Sequence, residues 1–408
     1  MKVIKLVLIT ACLLFFEKEV ISQSKMKLDD VIKISIENNQ SIKSSKFNIE
    51  KEKAINLKSF NIPKPELFIE YEGVQGSLSN ADSRKIGILQ MIEFPTNYFL
   101  RSDVQESQIK VAEEELNSSV NSLRTNVKLN YYNLLLLNEL LKTSKENYRI
   151  YEDFLFTAEK KYEAGESSNL EVLGARVNKI KFENEIKNLE SEIKTSQSEI
   201  RTLMNVDYDV TPVEEISYTE VRLNKTELLT KAINNNPELK MLNFQKEKFS
   251  NKISLSKGEL LPDISFKYFK QKLLGNDNYW GMEVGLGIPL WFWWQQSGNI
   301  KESNYEYKIA SSEEAGFRKT LENEINKTFE EYENSLRQVK FFNEEALKET
   351  EEILRQAKKS YEEGEIGYVE YLQALNLAYE TRTQYLNSIY NFNQSIIKLE
   401  KLTSGDLK

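Results

Sequence analysis

Two groups of side chains in this sequence could do chemistry, its carboxylates and its tryptophans. Aspartate and glutamate number 63 against 55 lysines and arginines, and histidine is absent. Without imidazole there is no Ser/His or Cys/His nucleophile, no histidine zinc site and not the commonest general base. Cys12 is the sole cysteine, which removes disulfide frameworks and thiolate metal sites. The sequence has no P-loop, no G-x-G-x-x-G and no EF-hand loop, so nothing frames the carboxylates for phosphate or metal work. Neither an enzyme, a cofactor nor a resident metal is expected. The tryptophans are more informative, because all four, Trp280, Trp291, Trp293 and Trp294, fall within fifteen residues. Such clustering suits an aromatic girdle at a membrane boundary, where the ring is apolar and the indole N–H is wet. A buried aromatic patch at a helix–sheet junction is the other reading.

The first tryptophan lies in a stretch of period two. Trp280, Met282, Val284, Leu286, Ile288 and Leu290 alternate with Tyr279, Gly281, Glu283, Gly285, Gly287 and Pro289. That is a one-sided apolar strand whose other face is small or polar, the pattern of a lipid-facing strand over a wet interior. Ser83–Phe94 alternates likewise, with Ile86, Ile88, Ile92 and Phe94 opposite Gly87 and Glu93. Partner strands are expected over Glu66–Gly73 and Asp263–Lys272, joined across Gly73–Ala81 and Leu273–Asn278. Four strands cannot close, and an open edge leaves backbone groups unsatisfied in lipid. Subunits must then share strands, eight from a dimer or twelve from a trimer.

Elsewhere the period is helical. From Thr96 to Gly165 there is no proline and no glycine before the last residue, and an apolar row runs through Val120, Val127, Leu134, Leu141, Tyr148, Leu155 and Tyr162. A second row through Leu116, Leu123, Leu137, Tyr151 and Ala158 completes a coiled-coil seam, with Asn130 and Ser144 as polar interruptions. At 1.5 Å per residue this helix is ~100 Å long. The row recurs through Ile325, Tyr332, Val339, Ala346 and Ile353, and a returning helix carries Leu372, Leu375, Tyr379, Leu386, Ile389 and Ile396. The fold class is therefore mainly α with a small β part.

The chain also repeats itself. Glu37–Lys43 matches Asn234–Lys240, Phe47 matches Phe244, Pro65 matches Pro262 and Tyr71 matches Tyr268, while Lys161–Glu166 answers Ser360–Glu365. The register drifts by only a few residues. The organisation read from this is an export signal (1–22), a first-copy helical region (23–62), a first membrane hairpin (63–95) and a first coiled-coil hairpin (96–210). A linker with the second-copy helix (211–261), a second membrane hairpin (262–290) and a second coiled-coil hairpin (291–408) follow. Lys2 and Lys5 lead the signal into Val7–Phe16, and small Ser22 precedes Gln23. Ile9-Thr10-Ala11-Cys12 also fits a lipobox, so lipidation at Cys12 is an alternative. No later segment has the ~18 uninterrupted apolar residues of a spanning helix. The acidic balance argues against nucleic acid as a partner.

The signal, the duplicated helix–strand–strand–helix unit, the prolines where strand gives way to helix and the turn phrases at Tyr162–Val172 and Tyr361–Leu372 together resemble the TolC family of outer-membrane efflux proteins. The resemblance covers essentially the whole mature chain. It implies a homotrimer, with a twelve-stranded β-barrel in outer-membrane lipid and a long antiparallel coiled-coil α-barrel in the periplasm. Such a tunnel is passive. A periplasmic adaptor joins it to an inner-membrane pump, for which the resistance-nodulation-division type is one candidate. By resemblance, the adaptor-contact tips are Gly165, Glu166, Ser167 and Ser168 with Gly364, Glu365, Ile366 and Gly367. The periplasmic gate falls on Glu171 and Glu370, and Gln373 stands where the family has a second acidic position. The stretch Trp280–Leu290 also looks like the heavy-metal branch of the family. With few ligands beyond carboxylates and methionine, the cargo stays open between metal ion, drug and polypeptide. The rival from another class is a periplasmic coiled-coil scaffold without a pore.

Overall fold

One helix–hairpin–helix plan is laid down twice along the chain in the computed structural model, which describes residues 24–273, 276–288 and 293–407. The expected export signal with Cys12, Trp291 and the side chain of Trp293 lie outside the described residues. The first copy runs β1 (Ser24–Met26), α1 (Leu28–Asn38), α2 (Gln40–Asn56), β2 (Glu66–Glu72), β3 (Ser83–Ile92), α3 (Thr96–Glu163) and α4 (Asn169–Met204). A short β4 (Val210–Pro212) leads to the second: α5 (Lys225–Asn235), α6 (Pro237–Gly258), β5 (Asp263–Leu273), β6 (Asn276–Gly287), α7 (Trp293–Phe341), α8 (Leu347–Glu362) and α9 (Tyr368–Thr403). Between α7 and α8 the helix continues through one π turn, Phe342–Ala346.

Local chemistry explains the boundaries. α3 runs 68 residues because no proline or glycine interrupts it. At the start of α6 the side chain of Asn236 accepts from the Leu239 N–H at 3.1 Å, and Pro237 takes the first-turn position where its missing N–H costs nothing. α4 stops at Asn205, whose left-handed backbone (φ 52°) turns the chain out of the helix.

The chain divides into two compact units. One, Ser41–Ser119 with Thr230–Asn323, contains a single antiparallel sheet of order β2-β3-β5-β6, so the two expected hairpins pair with each other through β3 and β5. Leu67, Ile69, Ile86, Ile88, Phe266, Tyr268, Met282, Val284 and Leu286 share one face of this register and are all exposed. The opposite face is polar: Lys85 pairs with Glu72 at 2.7 Å and Glu70 at 3.3 Å, and Lys267 with Glu70 at 3.2 Å. On that polar face the Phe269 ring lies between two glycines of neighbouring strands, Gly87 and Gly281. A Cβ at Gly281 would sit 2.4 Å from the ring and one at Gly87 2.7 Å from the Phe269 Cβ, so glycine is required at both.

The other unit comprises the residues up to Gln40, Val120–Leu229 and Glu324–Lys408. Its core holds Val31, Val127, Leu134, Ile200, Met204, Ile325, Ile389, Phe392, Ile396 and Leu399. A parallel pair absent from the sequence reading, β1 with β4, closes one side of it, and the Tyr131 hydroxyl donates to the Met26 carbonyl at 2.9 Å. Lys128 bridges Glu400 and Asp406, each at 2.8 Å, tying α3 to the end of α9. The expected apolar row holds through Ile325, Tyr332 and Val339, then fails. Ile353 is 45% exposed, and its neighbour Leu354 packs on the core instead. The π turn inserts one residue and moves the seam by one position. Tyr162, expected to end the first row, is likewise exposed, because α3 ends one residue later. Among the described residues no helix is long and apolar enough to cross a membrane.

Candidate functional site: the helical tips

Both helix pairs reverse direction by the same device. At the end of α3 the Glu166 N–H reaches the Lys161 carbonyl (2.8 Å) and the Gly165 N–H the Tyr162 carbonyl (3.0 Å). At the end of α8 the Glu365 and Gly364 N–H groups reach Ser360 (2.8 Å) and Tyr361 (3.2 Å) in the same pattern. This double closure needs a left-handed residue, supplied by Gly165 (φ 77°) and Gly364 (φ 76°). The returning helix α4 is then capped by Ser168, whose hydroxyl accepts from the Glu171 N–H at 3.4 Å. Gly367 stands in the same place before α9 and brings no cap side chain.

Glu171 and Glu370 thus occupy equivalent positions, the third residue of a returning helix, where a carboxylate meets the positive end of the helix dipole. Their surroundings differ. Glu171 is half-buried and accepts a 2.6 Å hydrogen bond from the Tyr361 hydroxyl at the end of α8. Glu370 is exposed and folds back over its own helix start, where a Cβ on Gly367 would lie 2.9 Å from its Oε2. Gln373 is exposed one turn further on. Of the turn residues, Gly165, Glu166, Ser168, Gly364, Glu365 and Gly367 are exposed, and Ser167 and Ile366 half-buried.

Behind the tips aromatic rings pack both within the second helix pair and between the two pairs. Tyr361 stacks on Tyr371 at 5.0 Å, Phe154 on Tyr368 at 5.1 Å, and Phe182 meets Tyr379 edge-on at 4.9 Å. Gly174 makes room for Tyr368, whose hydroxyl would be 2.5 Å from a Cβ there. The Tyr368 hydroxyl is buried without a hydrogen-bond partner, whereas three others find partners across the helix pairs. Tyr151 donates to Asn376 Oδ1 at 3.1 Å, Tyr379 donates to Glu185, and fully buried Ser144 lies 3.2 Å from the Tyr379 oxygen. Burial, helped by the carboxylate beside each, pushes Tyr361 up and Tyr379 up to about 12. Sequence reasoning took Tyr151 and Tyr379 as seam residues and Ser144 as a mere interruption. The signal was the hydroxyl itself, which at a buried seam position needs a partner that leucine would not.

At the sheet, Trp280 is 66% exposed on the apolar face and Trp294 is 71% exposed at the start of α7. Among the described residues no group of carboxylates is placed to hold a metal ion.

The long helices thus end in near-identical tips, and the amphipathic sheet leaves its apolar face exposed. The chain belongs to the outer membrane efflux protein family, whose model matches residues 74–206 and 228–405. It is an outer-membrane efflux channel with a large periplasmic helical part. Among solved structures it is similar to CusC (TM-score 0.76, 16% identity, 94% of this chain and 93% of that one). It is also similar to VceC from Vibrio cholerae (0.75, 14%, 93% and 97%) and to the open state of MtrE from Neisseria gonorrhoeae (0.73, 16%, 94% and 90%). At these identities the likeness carries the fold. The sequence matches no curated protein.

Proposed function

We propose that three copies of this chain form the exit duct of a tripartite efflux system, a passive conduit coupled through a periplasmic adaptor to an inner-membrane pump. The observation that carries this reading is the four-stranded sheet, which has one apolar exposed face and two edges, β2 and β6, without a partner strand among the described residues. In lipid such edges must be paired, and three sheets joined edge to edge make a closed barrel of the size the family uses. The exposed turns around Gly165 and Gly364 are the adaptor contacts. Glu171 and Glu370, near the same end, supply carboxylates to the entrance, where a confined ring attracts cations. Purification in mild detergent, with mass per particle and single-channel conductance measured on one sample, tests the proposal. Three chains per particle with a cation-preferring conductance are expected. A monomer or dimer without conductance overturns it.

A further inference from the structure

One row of the sheet's polar face carries aromatic rings in place of charges. The register sets Phe68 opposite Gly87, Gly87 opposite Phe269 and Phe269 opposite Gly281, so a single row across all four strands reads ring, glycine, ring, glycine. Each ring leans onto the glycine of the next strand. A Cβ at Gly87 would stand 2.7 Å from Phe68 Cζ, and one at Gly281 2.8 Å from Phe269 Cε2. Glycine at both positions thus lets the rings lie close against the strands.

A phenyl resting on glycine shields the backbone there, which accounts for the side of each ring turned to the sheet. It does not account for what stands over the rings. Lys267 Nζ lies 4.4 Å from the centroid of Phe68, and Lys85 Nζ 5.7 Å from that of Phe269. Both rings therefore already hold a cation. Both ammonium groups are also bonded to carboxylates, Lys267 to Glu70 at 3.2 Å and Lys85 to Glu72 at 2.7 Å, so each keeps a partner when it is lifted from its ring. The charge balance of this face favours further cations. Glu66, Glu70, Glu72 and Glu283 outnumber Lys85 and Lys267, and Glu66 and Glu283 are exposed in the row beside the rings, on the side of the helices.

We propose that Phe68 and Phe269 bind organic cations on their way through the barrel, a quaternary ammonium or aromatic cation taking the lysine's place over the ring while Glu66 and Glu283 balance its charge. Such ions gain more from a ring than lysine does, because the lysine ammonium is compact and strongly hydrated. Small inorganic cations keep their water and pass. Three sheets joined edge to edge carry six such rings on the inner wall. This rests on the barrel reading, which turns the polar face to the lumen, and it names a cargo class for that duct.

The full-length protein in a planar bilayer tests it, with block of the current by benzyltrimethylammonium and by phenylmethanesulfonate, an aromatic probe of opposite charge. Half-block by the cation should need about tenfold more probe in the pair variant Phe68→Leu, Phe269→Leu, and the wild-type concentration in the pair Phe68→Tyr, Phe269→Tyr, which keeps both rings. Phe68→Leu alone leaves Phe269 on its glycine and should raise half-block about threefold, which is the readout should the leucine pair not assemble. Unchanged half-block in the leucine variants, block lost in the tyrosine pair, or equal block of the wild type by the sulfonate overturns the site. Mass per particle and conductance without blocker, measured on the same samples, separate the two readings. A conducting trimer whose block ignores the rings sinks this site alone, and a particle that neither assembles nor conducts sinks both.

Discussion

Tyr361 and Glu171 lie 190 residues apart in the chain and share a 2.6 Å hydrogen bond, so the tip end of the second pair's outgoing helix is fastened to the beginning of the first pair's return. The donor is a neutral phenol and the acceptor a carboxylate at a helix N-terminus, a charge-assisted contact. Tyr361→Phe removes the donor and keeps the ring that stacks on Tyr371. It should cost about 1.5 kcal/mol in denaturant unfolding. A double-mutant cycle with Glu171→Gln should return most of that as coupling. Additive single effects would show that the contact is idle.

Alkali should loosen the tips before it unfolds the rest. The Tyr379 hydroxyl has its pKa raised from 10.0 to about 12, chiefly by burial and then by its bond to Glu185. A raised folded value means that the stabilisation is complete below the unfolded pKa and is lost as pH climbs through the folded one. The window is therefore between pH 10 and about 12. Tyrosinate absorbance followed together with hydrogen exchange around the tip should change there, and Tyr379→Phe should abolish that part of the pH dependence.

Lys128 holds two carboxylates from the end of α9 and the residues beyond it, and its side chain is only 13% exposed. Lys128→Met leaves the Glu400 carboxylate buried without its cation, at a cost of about 3 kcal/mol. The bond from Lys128 holds the Asp406 carboxyl below its ordinary 3.8. A depressed folded value gives stability that is present above 3.8 and is lost as pH falls below it. Thermal melts of wild type and Lys128→Met should accordingly converge in strong acid.

Glu370 is exposed at the tip where Glu171 is tied down, which makes it the more available carboxylate. Glu370→Gln in a planar bilayer should reduce cation preference and weaken block by divalent ions. An unchanged reversal potential together with unchanged block would remove Glu370 from the entrance.

Much of this architecture is legible in the sequence because each element follows one physical period. The alternation from Trp280 to Leu286 gives the strand and its exposed apolar side, and the glycine-free run from Thr96 gives the long helix. What is not legible depends on contacts between distant segments. The β1–β4 pair joins residues near 25 and 211 through backbone bonds that carry no side-chain signature. At the tips, Glu171 and Glu370 read as equals because their local phrases match. Only the packing of α8 against α4 distinguishes them, by bringing a phenol to one and leaving the other open.

The π turn at Phe342–Ala346 makes the duplication unequal. Residues before it match the first copy at an offset one smaller than residues after it, as Val127 with Ile325 and Tyr162 with Tyr361 show. Ser144 interrupts the apolar seam of copy one without breaking its helix, and at the corresponding place copy two has a π turn with Asn343 accepting from Tyr385. In the proposed trimer, three continuous staves would alternate with three that carry a joint partway down. The symmetry of such a palisade would be that of a tripod and not of a six-petalled iris.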